Sequence, residues 1–425
     1  NYCLNNMINK IITSVKRTCR IVYRIACTTI FMSCLNAAYA GDQKAPELIS
    51  FSYEDLVSIR QSIRTGKSSY IASYKKLLLT TNKLLDKLPD KVTNGDLPPT
   101  GDPHDFFTIG KFSWPNPKTP DGMPYIRGDG KHNQEAFGPR YDLTRFQKTV
   151  NDINLLALSW FYTQDEKYAA KAKELLHVWF LEPSSRMNPN MNCASALPGV
   201  YNGMSEGIIF SVILIEMLDH VKLLGLSKSW DSVSNDALKA WVSDYMTWLE
   251  TSDFGKKEKA ALNNHGTWYS AQFAAYSIFT GKRENAADIF ELAKKRIDGQ
   301  VAEDGSLPRE LRRVESYHYF LYGLRAFVTL SRGLEILGYN LASYKTPDSR
   351  SLILPFNFIV PYLLDQKKWN YGGKVELEDK GLLKSVLWAY GKYQTPELLN
   401  TLNVLRPSFE NSTGIEKLYN LIEFK

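Results

Sequence analysis

The sequence has few cysteines after its first forty residues. Of the five cysteines in the chain, only Cys193 lies beyond residue 40, and the others are Cys3, Cys19, Cys27 and Cys34. A single cysteine cannot form an intrachain disulfide, so the rest of the chain must be stabilised by its hydrophobic core. Cysteine and histidine pairs at the spacing of a metal-ligand set are also missing, and we therefore expect no metal and no other cofactor.

A strong excess of one charge is lacking as well. The formal net charge is +7, but five basic residues and no acidic ones lie in residues 1–40, so residues 41–425 carry seven minus five, or +2. A nearly neutral protein has no general field that would attract nucleic acid. We expect no nucleic-acid partner, and any attraction for an anionic substrate must come from locally placed arginine and lysine.

The first forty residues have the pattern of a secretory signal. A basic segment precedes an apolar run near residues 25–38, and Ala38-Tyr39-Ala40 is a small-x-small cleavage site. The apolar run is too short for a membrane span. We predict a signal peptide over residues 1–40 and no membrane association after its removal, with a retained amphipathic anchor as the alternative. Because the exported chain has no disulfide, the periplasm is favoured over secretion into the medium.

The chain after the signal has helical periodicity. The whole sequence of 425 residues is 44% hydrophobic, which is enough for a large core. Apolar residues recur at helical spacing in paired segments joined by short breakers: 145–163 with 165–180, 206–225 with 231–250, 265–280 with 283–300, and 317–338 with 352–365. Helix hairpins in series predict an all-α protein, either a solenoid or a closed ring of hairpins.

Polar stretches that interrupt this pattern are candidates for a functional site. They are the early loop (residues 95–142), the middle stretch (185–207), "ALNNHGTWYS" (261–270) and "DGSLPRELRRVESYHYFLYGLRAF" (304–327). Long loops rich in proline and glycine are usually lids or binding loops. The Asn-Asn-His-Gly turn also fits an ordinary helix N-cap, and the arginines near residue 312 also fit a solvated face.

Four segments in a fixed order resemble the alginate lyase superfamily, which includes polysaccharide lyase families 5 and 38. They are "HDFFTIGKFSWPNPKTPDGMPYIRGDG", "MNPNMNCASALPG", "NNHGTWY" and "LPRELRRVESYHY", and the resemblance covers roughly residues 95–370. It implies one domain over residues 41–425, an incomplete (α/α)6 or (α/α)7 toroid of helix hairpins. It also implies cleavage of a 4-linked anionic uronate polysaccharide by β-elimination. We expect the protein to act as a monomer.

The chemistry of β-elimination fits the residues in these segments. The proton on C5 must be removed while the C4 oxygen leaves, and the substrate carboxylate must be neutralised. The resemblance assigns neutralisation to Asn264, the role of base or stabiliser to His265, charge balance to Arg313, and the role of acid, or of both acid and base, to Tyr319. A tyrosine has an ordinary pKa of about 10, which we expect adjacent cations to lower. Tyr322, one helical turn later, is the alternative acid.

Further residues of the four polar stretches are predicted to bind substrate. They are Trp114, Arg127, Arg140, Asn190, Trp268, Tyr269, Arg309, His318 and Tyr322. The arginine that the family tends to have near Met204 is missing here. Mannuronate, guluronate and glucuronate all remain open as the substrate unit.

Two other function classes compete with a lyase. A glycoside hydrolase needs two carboxylic acids across a cleft, and Glu206, Glu310 and Glu315 do not fall in such a pattern near the histidine motif. A noncatalytic glycan-binding scaffold is possible because a fold does not dictate chemistry. Only the lyase creates a C4–C5 double bond that absorbs ultraviolet light.

Overall fold

The computed structural model describes residues 45–66, 68–377 and 379–419. The predicted signal peptide and its cleavage site lie outside the described residues. The elements below belong to a compact unit that begins at Glu47. Its α-helices are α1 (Tyr53–Arg64), α2 (Ser68–Leu85), α3 (Leu143–Thr163), α4 (Glu166–Leu176), α5 (Leu214–Leu224), α6 (Ser232–Thr251), α7 (Asp253–Ala260), α8 (Asn264–Thr280), α9 (Ala286–Gln300), α10 (Pro308–Leu311), α11 (Ser316–Ile336), α12 (Ile353–Leu363), α13 (Lys380–Tyr393) and α14 (Pro396–Glu410).

Shorter elements occupy the connections. The helical segments of 3₁₀ or π type are Val92–Asn94, Gln134–Phe137, His177–Leu181, Ser205–Ile213, Arg283–Asn285 and Ile415–Tyr419. The strands are β1 (Phe107–Ile109), β2 (Ser113–Trp114), β3 (Ile126–Arg127) and β4 (Cys193–Ala196). The all-α prediction is confirmed, since these strands are short and belong to loops.

The first predicted hairpin, α3 with α4, forms as expected. The stripe that includes Phe146, Val150 and Ile153 is buried along α3. Gln164 ends α3 in the left-handed region at φ 61°, and the side chain of Asp165 then accepts a hydrogen bond from the backbone N–H of Lys167 at the start of α4. A left-handed residue followed by an Asp N-cap reverses the chain within two residues.

Two of the other predicted pairings differ from the observed packing. Helices α8 and α9 pack together as expected, but α5 packs against α3 and α8, and α6 packs against α7 and α8. Similarly, α11 packs against α8 and α13, whereas α12 packs against α13 and α14. Periodicity identifies which face of a helix is apolar, but it does not identify the helix that covers this face.

Helix α8 lies at the centre of this packing. It contacts α5, α6, α7, α9 and α11, and nearly all of its residues are buried. A helix that is enclosed on every side has no solvated face on which charged residues could lie. This explains why the stretch of residues 261–270 contains no charged side chain other than a histidine.

The strands join the early loop to the middle stretch. Strand β1 pairs in parallel with β4, with Phe107 opposite Cys193 and Ile109 opposite Ala196. Strands β2 and β3 pair antiparallel within the early loop. Two irregular stretches that are far apart in sequence are therefore held at the same place on the helical framework.

None of the helices that the structure describes is both long and apolar enough to cross a lipid bilayer.

Candidate active site

The polar stretches that interrupt the helical pattern border a cavity of about 1050 Å³. The early loop contributes one side through β2 and β3, and the start of α8 and the first half of α11 contribute another. One lining residue from each of the four stretches is Lys111, Glu206, His265 and Tyr319. The structure thus brings together segments that are up to two hundred residues apart in the sequence.

The Asn-Asn-His-Gly turn begins α8 at the wall of the cavity. Asn263 is the N-cap, and its side chain accepts a hydrogen bond of 3.3 Å from the backbone N–H of His265. Asn264 and His265 then occupy the first helical turn, where their side chains reach different carboxylates. The motif is a helix N-cap, as one interpretation of the sequence predicted. The same turn also places Asn264 and His265 at the cavity.

Gly266 completes the motif because the turn has no space for a side chain. A Cβ atom there would lie 2.1 Å from the carbonyl oxygen of Ala261 and 2.5 Å from Nη1 of Arg296. The backbone of α8 therefore approaches the end of α7 as closely as only glycine permits.

We expect Gly266→Ala to destabilise the protein by roughly 1–3 kcal/mol, because the added methyl group meets backbone that cannot move away. Thermal unfolding followed by circular dichroism measures the effect. Gly299→Ala in α9 is the matched control, because a Cβ there meets nothing within 4 Å. The control should be as stable as the parent or slightly more so. Equal melting temperatures for the two variants would contradict the close approach.

Asn264 is held by Glu310 of α10. Its backbone N–H and its Nδ2 donate to the two carboxylate oxygens of Glu310, each at 2.7 Å. Both residues are buried, and burial raises the pKa of Glu310 although the hydrogen bonds from Asn264 lower it. An amide nitrogen carries two hydrogens, so Asn264 keeps one for another acceptor. Its Oδ1 is buried and has no hydrogen-bond partner in the described structure.

His265 is held by Glu258 of α7. Nδ1 of the ring lies 2.6 Å from Oε1 of Glu258, whose side chain is 3% exposed. Burial opposes charge on the ring and is the largest single influence, but the carboxylates of Glu258, Glu206 and Glu310 together raise the pKa of His265. The ring therefore takes up a proton more readily than an ordinary histidine.

Tyr319 lies against Arg313 on the other side of the cavity. Nη2 of Arg313 donates to the Tyr319 hydroxyl oxygen at 2.9 Å, and the guanidinium carbon lies 3.7 Å from the centre of the ring. The hydroxyl hydrogen is not used by this bond and can be donated to a substrate oxygen. The same arginine forms a bidentate pair with Asp129 of the early loop, at 3.0 Å from Nε and 2.8 Å from Nη2.

The expectation that cations lower the pKa of Tyr319 was wrong in its direction. Burial raises this pKa, and the lowering by Arg313 is also opposed by the negative charges of Asp129 and Glu310. In the structure Tyr319 is therefore a neutral phenol at ordinary pH, which is the form that can donate a proton.

Tyr322, the alternative acid, lines the same cavity one turn further along α11. Its ring centre lies 5.1 Å from that of Trp268 and 6.1 Å from that of His318, with which it is stacked. Burial raises its pKa strongly. The hydrogen bond from Arg313 distinguishes Tyr319 from this second tyrosine.

The predicted substrate-binding residues divide into two groups. Those that line the cavity are Arg127, Trp268, His318 and Tyr322. Those outside its lining are Trp114, Arg140, Asn190, Tyr269 and Arg309.

The second group has other partners. Tyr269 is buried in the core and its hydroxyl donates to the Leu249 carbonyl at 3.3 Å. Arg140 pairs with Asp96 at 2.7 Å. Tyr269 points about 100° away from Trp268 around α8, and this directs its side chain into the core.

The remaining three also have contacts of their own. Nδ2 of Asn190 donates to Asp105 at 2.9 Å, and Arg309 donates to the Gly299 carbonyl at 3.4 Å. The ring of Trp114 has the Lys131 ammonium 5.7 Å from its centre.

Several cavity residues were not predicted as site residues. Lys111 lines the cavity, and burial, together with the charge of Arg313, lowers its pKa. Glu206 also lines the cavity, and Arg127 of the early loop reaches it at 3.4 Å. The loop thus supplies a cation to that part of the cavity. Asp129 was missed because only the fold brings it to Arg313, and Glu258 was missed although it lies seven residues before His265.

No group of three or more His, Cys, Asp or Glu side chains is arranged to hold a metal ion within residues 45–66, 68–377 and 379–419.

Comparison with known proteins identifies the family. The family model described as alginate lyase matches residues 92–369. The chain belongs to the alginate lyase family. It is a polysaccharide lyase, which confirms the resemblance of the four segments, and neither the hydrolase nor the scaffold alternative is favoured.

Solved structures of alginate lyases have the same fold. The chain is similar to an alginate lyase from Bacteroides ovatus, with a TM-score of 0.82 and 27% identity over 90% of this chain and 100% of that one. It also resembles a variant of alginate lyase A1-III complexed with a tetrasaccharide, with a TM-score of 0.52 and 14% identity over 85% of this chain and 93% of that one. The predicted helical toroid is thereby confirmed. No curated protein matches the chain in sequence.

Proposed function

We propose that this alginate lyase family member cleaves a 4-linked polyuronate, alginate or glucuronan, with Asn264, His265, Arg313 and Tyr319 as the reacting groups. The observation that carries the proposal is the hydrogen bond of 2.9 Å from Arg313 to the Tyr319 hydroxyl. Both residues line the same cavity as Asn264 and His265. This hydrogen bond orients the Tyr319 hydroxyl as a proton donor, and the turn with Asn264 is available to neutralise the substrate carboxylate.

Asn264 and Arg313 stabilise the charge that develops in the reaction. Removal of the C5 proton turns the uronate carboxylate into an enolate-like dianion, which needs donors that are already in place. Asn264 offers its second amide hydrogen, and Arg313 offers a permanent positive charge. Because Glu310 fixes Asn264 and Asp129 fixes Arg313, neither donor has to reorganise during the reaction.

The arrangement fits the first of two proton routes directly, whereas the second requires Tyr319 to lose its proton first, which its raised pKa opposes. In the first, neutral His265 takes the C5 proton at Nε2, the C–H electron pair forms the C4–C5 double bond, and the C4 oxygen leaves with the proton of Tyr319. In the second, protonated His265 stabilises the carboxylate, and a Tyr319 phenolate takes the C5 proton and returns it to the leaving oxygen. By resemblance, the first route suits anti elimination at guluronate and the second suits syn elimination at mannuronate or glucuronate.

Substrate-binding roles are proposed for the predicted residues that line the cavity. Arg127 is a cation that can pair with a uronate carboxylate, and His318 is a polar group at the same wall. Trp268 and Tyr322 offer aromatic surface that matches the apolar face of a sugar. These four surround the reacting groups, which supports their assignment.

We further propose that residues 1–40 direct export to the periplasm and that the exported chain acts as a monomeric single domain over residues 41–425. The pattern of the sequence supports this proposal. Fractionation of producing cells, followed by size-exclusion chromatography, tests both parts.

Ultraviolet absorbance during incubation with polymannuronate, polyguluronate and polyglucuronate, in parallel, tests the proposed function. The unsaturated uronate end absorbs because its double bond is conjugated with the carboxylate. We expect absorbance to grow with at least one polymer, which names the substrate. New reducing ends without absorbance would indicate hydrolysis, and no change with any of the three polymers would overturn the proposal.

A further inference from the structure

Glu258 is a buried carboxylate with no part in the proton transfers described above. It lies near the end of α7, its side chain is 3% exposed, and its Oε1 lies 2.6 Å from Nδ1 of His265. Burial of a carboxylate is unfavourable unless a donor compensates it. The histidine ring is that donor, so Glu258 and His265 form a buried carboxylate–imidazole pair at the wall of the cavity.

The connection between α7 and α8 fixes the geometry of this pair. Arg296 of α9 donates to the carbonyl oxygen of Ala261 at 2.7 Å and also to that of Lys259. These carbonyls belong to the end of α7, where a cation is favoured. Together with the close approach at Gly266, this arginine holds the end of α7 against the start of α8. These contacts fix the backbone positions from which the two side chains meet.

We propose that Glu258 is the positioning residue of His265: it holds Nδ1 toward α7 and thereby turns Nε2 to the substrate. This inference rests on the proposed function. Glu258 transfers no proton itself. When His265 is neutral, the pair places the hydrogen on Nδ1 and the lone pair on Nε2, and when His265 is protonated, both nitrogens are donors and Nε2–H faces the cavity. Either proton route therefore needs the same orientation of the ring.

Three carboxylates face His265 from three different elements. Glu258 comes from α7, Glu206 from the 3₁₀ helix Ser205–Ile213, and Glu310 from α10, and all three favour the protonated ring. Glu310 is bonded to Asn264, and Glu206 is paired with Arg127. Glu258 is the one of the three that has a hydrogen bond to the ring in the described structure. It therefore controls orientation, whereas the other two act through their charge.

The test is Glu258→Gln, which keeps the shape of the side chain and removes its charge. We expect kcat to fall roughly 10²-fold or more, since an amide can present N–H to Nδ1 and select the wrong tautomer. Because a negative charge stabilises the imidazolium, its removal lets His265 lose its proton at lower pH. The limb of the pH–rate profile that depends on His265 should therefore move to lower pH, with KM changed much less than kcat.

Nitrogen NMR of the purified, histidine-labelled protein provides a readout that does not depend on activity. The His265 signal is assigned by its loss in His265→Gln. In the parent it should titrate above the range of an ordinary histidine, and in Glu258→Gln it should titrate at lower pH and show a changed tautomer. Glu250→Gln, an exposed glutamate on α6, is the matched control and should leave both the titration and kcat as they are in the parent.

A double variant separates positioning from general damage. If Glu258 acts through His265, adding Glu258→Gln to His265→Gln costs little further activity, because the two losses are not additive. Fully additive losses, or a His265 titration that is the same with Glu258 and with glutamine, would overturn the inference. Failure of the parent protein to release unsaturated product would instead overturn the proposed function, and the NMR titration would still decide the role of Glu258.

Discussion

Replacing Tyr319 by phenylalanine should lower kcat by about 10²–10⁴-fold, the contribution of a positioned proton donor. The substitution removes one hydroxyl, which accepts from Arg313 at 2.9 Å, and leaves the ring in place against the guanidinium. Growth of ultraviolet absorbance on the preferred polymer measures the effect. Because the ring and its packing are kept, the melting temperature should change little.

Two neighbouring tyrosines serve as controls for this result. The Tyr317 hydroxyl donates to the Glu376 carbonyl at 2.9 Å, and Tyr317 is not part of the cavity lining, so Tyr317→Phe should keep nearly full activity. Tyr322→Phe removes the hydroxyl of the alternative acid. If Tyr322→Phe loses more activity than Tyr319→Phe, the assignment of the acid passes to Tyr322.

Replacing Asn264 by alanine should lower kcat by roughly 10²–10³-fold, which is typical for loss of one preorganised donor to a developing negative charge. The variant also leaves Oε2 of the buried Glu310 without the Nδ2 hydrogen bond of 2.7 Å. We therefore expect a loss of stability of about 1–3 kcal/mol in addition to the loss of activity. Steady-state kinetics and thermal unfolding of the same preparation measure the two effects.

The matched control for Asn264→Ala is Asn400→Ala, at an exposed position on α14. It should change neither kinetics nor unfolding. To separate stability from catalysis, activity is measured well below the melting temperature of Asn264→Ala. If Asn264→Ala is folded there and keeps parental kcat, Asn264 has no part in charge neutralisation.

Local sequence pattern predicted the helix boundaries at the wall of the cavity well. The helix predicted over residues 265–280 is α8, Asn264–Thr280, because a capping asparagine and the glycine after Thr280 mark its ends. The closeness of Arg313 to Tyr319 was also anticipated, since six residues separate them across the start of α11. Residues that are this close in sequence are placed by local geometry, which a motif encodes.

The carboxylates around these residues could not be predicted in the same way. Glu310 is 46 residues from Asn264, and Asp129 is 184 residues from Arg313. Contacts over such separations are set by how the loops and helices pack. The direction of the Tyr319 pKa shift was misjudged for this reason, because the sequence showed the cation at Arg313 but not the opposing charge of Asp129 or the burial of the ring.

The cavity has one wall of helix and one wall of loop, and this difference matters for protein engineering. At the start of α8, a single added methyl group at residue 266 meets backbone, so a combinatorial library that varies this turn would yield mostly destabilised clones. In the early loop, by contrast, Arg127 is exposed and can be varied, whereas Asp129 holds Arg313 and is kept. Saturation mutagenesis aimed at a new polymer preference should therefore diversify the loop wall and keep the helical wall constant.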